Sequence, residues 1–138
     1  MSEMPQHAWV FPARLVRIED ADTQDYTCDM GMHDSRTERM RLLGINCPEV
    51  KGPTKVAGLI ATDYARAWFA VAYGIDISQM PQRQTKITFT LPEWPFLIHT
   101  EKDPDNFGRY LALIWRICDG ACLNDDLLSS GNAVVFVK

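Results

Sequence analysis

Tyr26-Thr-Cys-Asp-Met-Gly-Met-His33 alternates strictly between two kinds of side chain. Tyr26, Cys28, Met30 and Met32 fall on one side, and Thr27, Asp29, Gly31 and His33 on the other. A period of two marks a half-buried β-strand. The His33-Asp34-Ser35 step reads as a turn, and a further strand runs through Met40 and Leu42 to Gly44. Upstream, Ala13 to Ile18 reads as a strand, so these three stretches predict an antiparallel meander.

Working outward, Pro48, Gly52 and Pro53 break the chain into a loop. Thr54 is placed to cap a long helix. On that helix Val56, Leu59, Ile60, Tyr64, Ala67, Trp68 and Val71 recur at spacings of three and four, which predicts one buried face. Gly74 stops it. Ile87, Phe89 and Leu91 alternate with Lys86, Thr88 and Thr90 as a fourth strand, ended by Pro92 and Pro95. The stretch from Leu91 to Asp105 then reads as a loop whose Trp94, Phe96 and Leu97 are available to a substrate or partner. Tyr110 to Arg116 is a fifth strand, closed by Asp119-Gly120. A short helix spans about Asn124 to Ser130, with Asp125 and Asp126 at its positive end and Gly131 beyond it. Val134 to Val137 is a final apolar stretch. Periodicity alone supports an α+β chain with a meander. Five strands, a long helix between the third and fourth and a short C-terminal helix is the element order of an OB-fold β-barrel. The expectation is a single domain over residues 1–138.

Composition is that of an ordinary soluble domain, with 138 residues and 23% charged side chains. The formal net charge of −4 argues against a uniformly basic nucleic-acid-binding surface and leaves room for a locally positive cleft. The N-terminus has no basic-then-apolar pattern, and no stretch is apolar for long enough to span a bilayer. A cytoplasmic location with no membrane role is therefore expected. Cys28, Cys47, Cys118 and Cys122 contain no C-x-x-C pair and are expected to be free thiols.

Three clusters carry potential chemistry. Glu19-Asp20-Ala21-Asp22-Thr23 gathers carboxylates whose repulsion a hard divalent cation would relieve, although such a run also suits a solvated turn. Arg41-Leu-Leu-Gly-Ile-Asn-Cys-Pro-Glu49 places a cation on a strand and then an amide, a thiol and a carboxylate at a sharp strand exit. Pro48 stiffens the presentation of Glu49. Glu49 suits proton abstraction from water and Arg41 suits a phosphate oxygen; a surface Arg–Glu pair is the plainer reading. Asp105-Asn106-Phe107-Gly108-Arg109 is a tight turn that delivers Arg109 to the start of the fifth strand, or simply a hairpin with a solvated arginine.

Ile18-Glu-Asp-Ala-Asp-Thr23, Arg41 to Glu49, Phe107-Gly-Arg109 and Leu123-Asn-Asp-Asp-Leu-Leu-Ser-Ser-Gly131 together resemble the staphylococcal nuclease (thermonuclease) family. They occur in that family's order, with the long helix between the second and third. The resemblance implies a calcium-dependent nuclease acting without sequence specificity on DNA, RNA or both, built on a five-stranded OB barrel. By position it implies Asp22 and Asn46 as metal ligands, with Asn46 standing where the family has a second aspartate. It implies that Cys47 lends a backbone carbonyl to the metal, where the family has threonine. Glu49 matches the general base, Arg41 and Arg109 match the phosphate-clamping arginines, and Asp20 matches a supporting acidic position. An amide at Asn46 ligates calcium without contributing charge, which weakens binding.

Two other readings compete. Cys47 beside Arg41 would be a reactive nucleophile if its pKa were lowered and His7, His33 or His99 approached it. A weakened or inactive nuclease-like barrel that only binds nucleic acid would use Trp94 and Phe96 for stacking, and Trp115 if it is not in the core. Cys118 and Cys122 suit core packing better than zinc.

Overall fold

The computed structural model describes residues 9–104 and 108–137, without the side chains of 101–104. The meander is present as β1 (Val10–Asp20), β2 (Thr23–Gly31) and β3 (Asp34–Leu42), paired antiparallel in that order. β5 (Phe96–Pro104) returns to β1 and also pairs with β6 (Tyr110–Arg116). β6 runs parallel to the end of β3, which closes a five-stranded barrel in the order β1-β2-β3-β6-β5. The remaining elements are β4 (Ile45–Asn46), α1 (Lys55–Tyr73), α2 (Leu123–Ser129), β7 (Val134–Val135) and two single turns of 3-10 helix, Gly52–Thr54 and Ile77–Gln79. β4 and β7 form a separate two-stranded sheet. The molecule is thus a closed β-barrel with two helices, an α+β architecture.

Side chains facing the barrel axis make the core. Ala13, Leu15 and Ile18 of β1 meet Tyr26 and Cys28 of β2, Met40 and Leu42 of β3, Phe96 and Ile98 of β5, and Ala112 and Ile114 of β6. The turn between β2 and β3 falls earlier than expected. Gly31 pairs with Asp34, and the two central residues Met32 and His33 both take positive φ, 54° and 65°. That backbone matches the twist of a two-residue hairpin.

The fourth barrel strand is not where the alternation placed it. Residues 86–91 form no strand; β5 lies in the stretch expected to be a loop. Ile87 and Phe89 do pack against the core. β1 already pairs with β2 on one edge and β5 on the other, so the closed barrel leaves the intervening segment no edge to join. It meets β1 near its irregularities, where Gln84 N–H donates to Ile18 O at 2.7 Å and Ile87 N–H to Val16 O at 2.8 Å.

α1 begins and ends as expected, at the N-cap residue Thr54 and the left-handed C-cap Gly74. Its buried face, however, is not the aliphatic one. Val56, Leu59, Ile60 and Val71 are exposed, whereas Gly58, Ala61, Ala65, Trp68, Phe69, Ala72 and Tyr73 are buried. Small residues let the helix approach closely, and the aromatic residues then reach into the barrel. Phe69 packs edge-on against Tyr26 at 6.3 Å and Phe96 at 5.4 Å. Phe96, expected on an exposed loop, is a fully buried anchor of this cluster. The short helix α2 and the strand β6 match their expected spans closely. Among the described residues no helix is long and apolar enough to cross a membrane.

Candidate active site

The tight turn between β1 and β2 carries Asp20 and Asp22, and β3 runs back beside it, with Arg41 opposite Thr23. The chain then leaves β3 through Gly44, whose φ of 78° reverses it into β4. β4 pairs with β7, Asn46 opposite Val134, and Pro48-Glu49 follow. Arg109 precedes the first residue of β6, and Tyr110 in turn pairs with Met40. Asp20, Asp22, Arg41, Asn46, Cys47, Glu49 and Arg109 therefore all line one cleft of about 250 Å³, with Thr23 and Pro48 completing it.

Asp22 organises the floor. Its Oδ2 accepts the Cys47 backbone N–H at 3.0 Å, and its Oδ1 accepts the Thr23 hydroxyl at 3.3 Å. Its own carbonyl accepts the Leu42 N–H at 2.8 Å. These bonds tie the β1–β2 turn to the exit from β3. Arg41 is the central cation. Its Nη2 donates to Asn46 Oδ1 at 2.9 Å and lies 3.4 Å from Asp22 Oδ2, while Nη1 donates to the Leu42 carbonyl at 3.1 Å. This is the fork geometry for which arginine, unlike lysine, is suited.

Glu49 stands at the rim. Its side chain is 70% exposed and lies 3.6 Å from the Lys51 ammonium, a pairing weak enough not to hold it in place. The backbone beneath it is better fixed. Thr54 Oγ1 donates to the Glu49 carbonyl at 2.8 Å instead of capping α1. Gly58 of α1 touches the same segment: a Cβ there would meet the Glu49 carbonyl oxygen at 2.6 Å and the Pro48 carbonyl oxygen at 2.9 Å.

The oxygen donors that line the cleft fit a hard cation in kind: two carboxylates and an amide oxygen. Asp20 adds a specific sign, since its buried Oδ1 has no hydrogen-bond partner and lies 3.7 Å from Arg83. Burial pushes the Asp20 carboxyl up; Arg83 opposes this, while Asp22 and Glu19 add to it. In charge the fit is weaker. Among the described residues no group of three or more His, Cys, Asp or Glu side chains gathers around a metal position, and Arg41 already engages both Asp22 and Asn46.

The setting of Cys47 does not activate its thiol. Burial, reinforced by Asp22 and only partly opposed by Arg41, pushes its thiol up to about 12, so it stays protonated near neutral pH. All four cysteines are free. Neither His33 nor His99 lines the cleft. His99 stacks on Trp115 at 6.4 Å, which leaves Trp115 half-buried on the outer surface of the sheet and not in the core. Trp94 holds Arg14 over its ring at 4.8 Å. His7 and the turn residues Asp105, Asn106 and Phe107 lie outside the described residues.

Gly58 and Arg83 escaped the sequence reading, and Thr54 is legible there only as a helix cap and not as a partner of the Glu49 backbone. A glycine inside an otherwise strong helix is the one signal that pointed to a close backbone approach. No protein-family model matches the chain, and no curated protein matches it.

Proposed function

We propose that the chain is an OB-type barrel of the staphylococcal nuclease kind that hydrolyses phosphodiester bonds of DNA, RNA or both with the help of a divalent cation, calcium by preference. One observation carries the reading: Asp22, Arg41, Asn46, Cys47, Glu49 and Arg109, far apart along the chain, line a single cleft. Glu49 takes a proton from a water whose oxygen bonds to phosphorus; the P–O ester bond breaks, and the leaving alkoxide is protonated from solvent. Arg41 and Arg109 hold the phosphoryl oxygens and meet the charge that builds on them in the pentavalent state. Asp22, the Asn46 amide oxygen and the Cys47 backbone carbonyl would hold the cation with Asp20 in support, and the cation would supply further charge stabilisation when bound. Cleavage is indifferent to base sequence to the extent that the contacts are to phosphates.

Binding without cleavage is the second reading, and one contact favours it. The Arg41 guanidinium already neutralises Asp22 and occupies the Asn46 oxygen, which lowers the demand for a cation. Purified protein incubated with single-stranded DNA and RNA in calcium, magnesium, manganese or excess chelator separates the two. The nuclease reading expects cleavage that chelator abolishes. Retention of the strand without cleavage in every ion would establish the binding reading instead.

A further inference from the structure

We infer that the open mouth of the barrel, distinct from the cleft, is a binding site for one unpaired nucleobase; this rests on the nucleic-acid reading above. The mouth is a cavity of about 170 Å³ lined by Trp9, Phe11, Met30, Arg36, Glu38 and Tyr110, with Cys28 and Met40 among its walls. No step of the proposed hydrolysis uses it.

The lining selects the ligand class. Three aromatic rings and two thioethers favour a flat, polarisable guest, and base–aromatic stacking contributes about 1–3 kcal/mol per base. An apolar cavity of about 150 Å³ accepts a benzene ring, so the size suits a ring and not a chain of sugars. An aliphatic ligand would have no use for the polar edge. There Arg36 Nε donates to Glu38 Oε1 at 2.6 Å, and the pair presents guanidinium donors and a carboxylate acceptor side by side. A simple anion would meet the Glu38 charge. A nucleobase edge offers amine donors and carbonyl or ring-nitrogen acceptors together and satisfies both members of the pair.

Met40 and Tyr110 pair across the β3–β6 seam and line the mouth, while their chain neighbours Arg41 and Arg109 line the cleft. Successive side chains of a strand point to opposite faces, so mouth and cleft are separate sites joined through the same two strands. A base that enters the mouth must be out of its pair, and extracting it from a duplex costs a few kcal/mol. A preference for single strands of roughly 10- to 100-fold follows.

Amide-resolved NMR on the full chain tests this with adenosine and cytidine, which carry no phosphate, and separately with inorganic phosphate. The nucleosides are expected to shift the amides of Cys28, Met30, Glu38 and Tyr110, and phosphate those of Arg41, Asn46 and Arg109. Met30→Asp, at the exposed lip, should weaken nucleoside binding about tenfold or more. Glu38→Gln keeps the shape and should change the ratio of adenosine to cytidine affinity, so the test survives if Met30→Asp fails to fold. Nucleosides that leave the mouth unshifted while a single-stranded oligonucleotide still binds would overturn the inference and spare the nucleic-acid reading. Nucleoside binding in the mouth with no oligonucleotide binding would support the site and sink that reading. Binding of neither would overturn both.

Discussion

Arg41 and Arg116 are buried to the same degree, with side chains 12% and 11% exposed, and both pair with an aspartate. Their surroundings differ completely. Arg116 is enclosed: Nη1 donates to the Trp68 carbonyl at 2.9 Å, Nε meets the Asp119 carboxylate at 2.9 Å, and the guanidinium lies 4.7 Å from the centre of the Trp68 ring. Trp68 is itself tied to α2 through Asp126 at 2.9 Å. Arg41 instead sits in an open cleft, bonded to an exposed amide, near a carboxylate with an unpartnered oxygen. Burial and charge pairing alone therefore do not separate the two arginines. On the proposed reading, what marks Arg41 for function is a neighbourhood left incomplete by the protein's own groups.

This contrast can be broken most sharply by truncating each arginine. Arg41→Ala should slow cleavage by about 10² to 10³, as loss of one preorganised charge-stabilising donor does. Single-turnover rates against an oligonucleotide measure it. Arg116→Ala should leave the rate per folded molecule unchanged and cost about 1–3 kcal/mol of stability, because it leaves the buried Trp68 carbonyl without its donor and removes the guanidinium packed on the Trp68 ring. Denaturant unfolding reads that loss, and a rate defect in Arg116→Ala larger than its unfolded fraction would erase the distinction.

Asn46→Asp sharpens the comparison from the opposite direction, by making the cleft more demanding of a cation. The added carboxylate brings a full charge, most of it offset by its own desolvation and by repulsion from Asp22. A net gain of about 1–3 kcal/mol in calcium binding is expected, or about 5- to 150-fold in affinity. Calorimetry with calcium should show it, and cleavage at limiting calcium should rise with it. Unchanged calcium affinity would mean that Asn46 does not face the ion.

Gly58→Ala should have the smallest effect. The new methyl group must displace the Pro48-Glu49 backbone, since real Cβ atoms do not approach within 2.6 Å of a carbonyl oxygen. Helix propensity alone would stabilise the variant by up to about 1 kcal/mol. A drop in stability of about 1 kcal/mol together with a fall in rate of about tenfold is the expected balance. A more stable protein with full activity would show that this contact does not position Glu49.

The legible and illegible parts of the molecule follow from the same physics. The residues of the cleft are not legible from their own chemistry, since a solvated acidic turn and a surface Arg–Glu pair explain them equally well. Asp22, Arg41 and Glu49 are singled out through the family resemblance, and their convergence with Arg109 in one cleft is a property of barrel closure. The face of α1 was misread because hydrophobic periodicity weights Val56, Ile60 and Val71, and it gives little weight to Gly58, Ala61 and Ala65, whose contribution is close approach. The fourth strand was displaced for a similar reason. Residues 86–91 carry a clean alternation, yet the register of a closed barrel decides which stretch is paired. Pro92 and Pro95 marked the correct break and the strand lay beyond it. Trp115 and His99 stack on the outer surface of the sheet, where periodicity cannot separate a packed aromatic residue from a core one.

The most direct test compares the wild-type chain with Glu49→Gln in single-turnover cleavage of a single-stranded oligonucleotide at saturating calcium. Glu49 is exposed at the rim, so the substitution leaves the fold and the charge of the arginine pair intact. The account predicts a rate lower by about 10² to 10⁴ with oligonucleotide affinity within about threefold of wild type. Equal cleavage by the two proteins would contradict it, because the cleft would then not be where the bond is broken.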